Sequence, residues 1–107
     1  MNPVGQAALT LENVMHKFVI ERDMPGAGAM SPAQLKEASR ASRDVLQQMG
    51  PQIEWVESFV TDDRIYCVYT APDEATIRRH AEAAHMPADR ISEVRAVINP
   101  STADAPA

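Results

Sequence analysis

The chain has 107 residues, room for one modest domain and too few for two. Apolar residues make up 45% and charged residues 23%, and the net charge is −5 with the acids spread along the chain. No basic patch is available to neutralise phosphates, which argues against a nucleic-acid binder. No apolar run approaches the roughly 20 residues of a membrane span, and no Lys or Arg precedes a hydrophobic stretch at the N-terminus as a signal peptide requires. The single Cys67 excludes an internal disulfide framework and fits a reducing cytoplasm.

Residues 1–14 carry Pro and Gly without a clean period and read as a flexible extension. Met15 to Asp23 (MHKFVIERD) is β-branched and aromatic at its centre, a strand that runs into the breaker Met24-Pro25-Gly26. The loop to Met30 contains two glycines and reads as the most mobile element. Ser31, Pro32 and Gln34 form a capping-box start for a helix whose apolar stripe is Leu35, Ala38, Ala41 or Ser42, Val45 and Met49, stopped by Gly50-Pro51. Ile53 to Thr61 and Arg64 to Thr70 are two strands joined by Asp62-Asp63, a hairpin. Ala71-Pro72-Asp73-Glu74 opens a second helix with Ile77, Ala81 and Ala84 on its buried side, and Met86-Pro87 ends it. Ile91 to Ile98 is the last strand. The tail Asn99 to Ala107 lacks large apolar residues and reads as disordered. The domain therefore spans 15–99, between an extension at 1–14 and a tail at 100–107.

The element order βαββαβ predicts an α+β, ferredoxin-like fold. Two helices cover one face of a four-stranded antiparallel sheet in the order 4-1-3-2, and the other face stays open. Alternation assigns Phe18, Ile20, Val56, Val60, Val68, Val94, Ala96 and Ile98 to the covered face. It assigns Lys17, Val19, Glu21, Trp55, Glu57, Phe59, Ile65, Cys67, Tyr69, Glu93, Arg95 and Val97 to the open one. A face with three large aromatics among charges is too apolar for water and too charged for a plain core, so a second copy of the chain over it is expected.

Four stretches together resemble a family of small nickel-binding proteins, long catalogued as a domain of unknown function. They are HKFVIERDMPGAG at 16–28, IEWVESFVTDDRIYCVYTAPDEATIRRHA at 53–81, MPADRISEVRAVI at 86–98 and the closing NPST. The resemblance implies a homodimeric ferredoxin-like α/β barrel and binding of nickel or another divalent transition metal.

Nickel and zinc favour imidazole and thiolate with carboxylates in support. The chain has no H-E-x-x-H, C-x-x-C or H-x-H, and His80 and His85 lie about 140° apart around their helix, so one ion cannot bridge them. Any site must be assembled between strands or subunits. The candidate metal ligands are Glu21, Glu57, Cys67 and His80, and the candidate ligand-contacting residues of the same enclosed patch are Trp55, Tyr69 and Arg95. Each also has a plainer reading: rim ion pairs for the carboxylates, a buried small hydrophobe for Cys67, a partly buried helix residue for His80, interface packing for Trp55 and Tyr69. No nucleophile–base pair and no phosphate loop stand out. The leading expectation is a metal- or small-ligand-binding dimer. The alternatives are a cofactor-free oxygenase or isomerase using Glu57 or Tyr69 as a general acid or base, and a purely structural or regulatory dimer.

Overall fold

The computed structural model describes residues 14–107; the extension expected at 1–14 lies almost wholly outside them. β1 (His16–Asp23) leads into a short 3-10 turn (Ala27–Ala29) and helix α1 (Pro32–Met49). β2 (Glu54–Val60) and β3 (Arg64–Ala71) form the hairpin, followed by α2 (Glu74–Ala83) and β4 (Arg90–Glu93). The sheet order is β2-β3-β1-β4, with every neighbouring pair antiparallel. This is the ferredoxin-like α+β arrangement expected from the element order. Among the described residues, no helix is long and apolar enough to cross a membrane.

The local signals act as written. Ser31 Oγ accepts from the Gln34 amide at 3.1 Å while Gln34 Oε1 accepts from the Ser31 amide at 2.8 Å. Gly50, at φ 85°, stops α1 in a conformation that side chains disfavour. Asp73 caps α2 by accepting from the Thr76 amide and hydroxyl, and these bonds hold its carboxyl below the usual range.

Register fixes both faces of the sheet. On the helix-covered side the rows across β2, β3, β1 and β4 are Val60–Ile65–Arg22, Ser58–Cys67–Ile20–Ile91 and Trp55–Tyr69–Phe18–Glu93. On the open side they are Phe59–Tyr66–Glu21–Arg90, Glu57–Val68–Val19–Ser92 and Glu54–Thr70–Lys17. The core is Phe18, Ile20, Ile53, Cys67, Tyr69, Ala71 and Ile77, with Leu46 and Met49 of α1 packed against it.

Several face assignments are thereby corrected. Cys67, Tyr69 and Ile65 face the helices, and Val68 faces outward. Trp55 also faces inward, because a bulge between Trp55 and Glu57 shifts the phase of β2 midway and leaves Val56 46% exposed. Glu93 stands on the Phe18 side of β4. The last strand ends at Glu93 rather than Ile98, after one more backbone bond from the Val94 amide to the Lys17 carbonyl, and Val97 and Ile98 are strongly exposed. In the tail, Asn99 caps a 3-10 turn over Pro100–Asp104, all of it exposed.

The loop after β1 is tied to the hairpin turn rather than free. The amides of Met24 and Gly28 donate to the carbonyls of Asp63 and Asp62, and the Gly26 amide donates to Asp63 Oδ1, all at 2.9–3.0 Å. A Cβ on Gly28 would lie 2.8 Å from Asp62 Cα, so only glycine lets the two backbones approach this closely.

Candidate functional site

The seven residues singled out from the sequence divide between the two sides of the sheet. Glu21 and Glu57 stand on the open face, on β1 and β2, with β3 between them as its order requires. That strand presents Tyr66 and Val68 there, not Cys67 and Tyr69. Glu21 lies between two guanidinium groups, 3.9 Å from Arg64 and 3.7 Å from Arg90. Asp23 takes the other side of Arg64 at 3.1 Å. Arg95, expected in the same enclosed patch, instead lies 3.6 Å from Glu93 with an 84% exposed side chain. Among the described residues, no three His, Cys, Asp or Glu side chains are grouped closely enough to hold one ion. One imidazole–carboxylate pair does form at the β1–β4 edge, where His16 Nδ1 lies 3.2 Å from Glu93 Oε2.

The other candidates converge behind the sheet. His80 of α2 is completely buried, its Nε2 3.1 Å from the Tyr69 hydroxyl and 3.2 Å from Ser42 Oγ of α1. Its Nδ1 has no partner among the described residues. A second ring proton would be buried without an acceptor, so the imidazole stays neutral; burial, assisted by the charge of Arg22, lowers its pKa to about 4. Burial likewise raises the pKa of the Tyr69 phenol and keeps it protonated. Trp55 stacks on Tyr69 with ring centroids 6.5 Å apart. Arg22 Nε donates to Cys67 Sγ at 3.3 Å, and its guanidinium carbon lies 6.0 Å from the centroid of the Tyr69 ring.

Between α1 and the β2–β3 hairpin lies a cavity of about 190 Å³, lined mainly by apolar side chains including Met24, Leu35, Trp55 and Met86, and reached by Arg22, Cys67 and Tyr69. It exists because α1 packs unevenly. Leu46 and Met49 join the core, but Leu35 near the other end is only half-buried and Ser42 is the helix's one buried residue.

Arg22 and Ser42 were missed from the sequence. The signal for Arg22 was present: Phe18 and Ile20 were assigned inward, and two residues further along the same strand is Arg22. Ser42 sits on the apolar stripe of α1, where a small polar residue gives no sign of the histidine it meets.

Comparison with known proteins adds to this geometry. No curated protein gives a match. The crystal structure of SCO4226 from Streptomyces coelicolor A3(2) superposes with a TM-score of 0.65 at 24% sequence identity, covering 77% of this chain and 99% of that one, which establishes the shared fold. The family model described as "Nickel responsive protein SCO4226-like" matches residues 18–94, most of the described domain. The chain belongs to this SCO4226-like family.

Proposed function

We propose that the protein is a homodimeric, nickel-responsive metal-binding protein, with two copies closed over the open sheet faces and a divalent ion held at the β1–β4 edge. The observation that carries the metal reading is the His16–Glu93 pair in a chain of a nickel-responsive family. Neighbouring donors about 2.1 Å from a common ion stand roughly 3.0–3.4 Å apart in octahedral or tetrahedral geometry, and the pair's 3.2 Å falls in that range. Imidazole with carboxylate also suits nickel. Two protein donors are a half-site, and water or a second copy completes the shell.

The dimer reading is supported by the open face. Val19, Tyr66 and Val68 lie at its centre beside the 53% exposed Phe59, on the face away from α1 and α2. Glu21 and Glu57 frame this apolar strip as its polar border.

The test is equilibrium dialysis of tag-free protein against nickel with elemental analysis, alongside light scattering. Nickel should bind saturably, and His16→Ala should weaken it at least tenfold while leaving the fold intact. Unchanged affinity in that variant would remove the site, and the absence of nickel uptake would remove the metal reading. A monomeric mass at micromolar concentration would remove the dimer.

A further inference from the structure

Arg22 poses a problem that neither the metal reading nor the dimer reading addresses. Its side chain is only 1% exposed, and a guanidinium stays charged at any ordinary pH. Buried charges are normally paired. Yet Arg22 contacts the Cys67 sulfur, the Pro87 carbonyl oxygen and the Tyr69 ring, none of them a carboxylate. Among the described residues, Nη2 has no hydrogen-bond partner. The acids nearest in sequence, Glu21 and Asp23, point to the other side of β1 and are engaged by Arg64 and Arg90.

This unmatched cation borders the cavity behind α1. The remaining wall is largely apolar, with Met24, Met30, Leu35, Trp55, Ile65 and Met86, and its other polar groups are serine hydroxyls, the Cys67 thiol and Tyr69. We propose that the cavity binds a small amphipathic monoanion, a carboxylate on a short alkyl chain or single ring, with the Arg22 guanidinium turning into the cavity to meet the carboxylate and the tail between α1 and Trp55. One guanidinium balances one negative charge, and a dianion would press its second charge against methionine and leucine. A closed apolar cavity of about 150 Å³ takes six-carbon benzene, and this space of about 190 Å³ is larger and partly open to solvent, so it suits a chain of six to eight carbons. A nucleotide or a long fatty acid is too large. The site lies on the opposite side of the sheet from the open face and uses neither His16 nor Glu93, so it stands or falls independently of nickel.

Trp55 is the chain's sole tryptophan and part of the wall, so its fluorescence reports occupancy. The full-length protein in chelator-treated buffer is titrated with octanoate and, separately, with 1-octanol, and calorimetry gives the stoichiometry. Octanoate should bind saturably at one per chain, at least tenfold more tightly than octanol. Arg22→Gln, checked for folding by circular dichroism, should reduce that preference to about twofold or less. Ala38→Phe fills the cavity from α1 without altering Arg22 and should weaken octanoate at least tenfold. The proposal is overturned if octanoate does not saturate below about 10 mM, if octanol binds equally well, or if folded Arg22→Gln keeps the preference. Should Arg22→Gln fail to fold, unchanged octanoate affinity in Ala38→Phe overturns it instead.

Discussion

The two faces of this sheet are built from nearly the same residue types and meet opposite fates. The covered face holds Phe18, Ile20, Cys67 and Tyr69 at 5% exposure or less, together with an arginine and a histidine that lack full complements of partners. The open face holds Val19, Val68, Tyr66 and Phe59, as apolar by inventory, with Glu21 between two arginines and Lys17, Glu54 and Glu57 exposed to water. Polar groups on the open face can be solvated where they stand. Those on the covered face must find partners inside the domain or accept a ligand, because water does not replace a missing bond there. Chemical potential therefore collects behind the sheet, and assembly potential in front of it.

The sharpest way to break this contrast is to truncate one residue on each side. Ile20→Ala, at a fully buried position, should cost about 2–5 kcal/mol, read as a fall in the urea midpoint. Phe59→Ala should leave the stability of the dissociated chain nearly unchanged and instead raise the dimer dissociation constant. Equal losses of chain stability from both would erase the distinction.

Acid should find the covered face next. The ordinary histidine pKa is 6.5, and that of folded His80 is lowered to about 4, so between these values the unfolded chain binds the proton that the folded one refuses. The stabilisation is whole above about pH 6.5 and is lost as pH falls towards 4. Over that range the loss should amount to about 2–3 kcal/mol. Urea midpoints at pH 7.5, 6 and 5 should show the decline, and His80→Gln should flatten it. An unaltered slope in that variant would assign the decline to other groups.

The smallest effect should come from the charged border of the open face. Glu21 meets Arg64 and Arg90 at 3.7–3.9 Å, and both arginine side chains are more than half exposed. Such pairs are worth about 0–1 kcal/mol. Glu21→Gln should shift the thermal midpoint of the chain by no more than a few degrees, and that shift should shrink in high salt. A large, salt-independent loss would mean that Glu21 is enclosed.

The fold was legible because its signals are local: the capping box at Ser31, the stop at Gly50 and the acid-rich start at Asp73 each act within a few residues. The faces of β2 and β3 were less so. In Arg64 to Thr70 the alternating sets Ile65–Cys67–Tyr69 and Tyr66–Val68–Thr70 are both apolar enough to turn inward, so hydropathy cannot choose between them. In β2 the bulge at Val56 breaks alternation and puts Trp55 and Ser58, three apart, on one side. The resulting error divided the expected site, sending Cys67, Tyr69 and Trp55 behind the sheet while Glu21 and Glu57 stayed in front. The tether between the Gly28 loop and the hairpin turn was invisible for another reason: two of its three bonds join backbone groups, which sequence does not distinguish.

The same bulge bears on how the protein avoids unwanted polymers. β2 is an outermost strand, and a straight outermost strand offers unpaired amides and carbonyls as a template for another chain to extend the sheet. Two residues opposing one at Trp55–Glu57 kink that template halfway along its seven residues, and the opposite border, β4, is only four residues long. Neither border can host a long in-register ladder, so strand-by-strand growth into fibres is discouraged on both sides of the molecule.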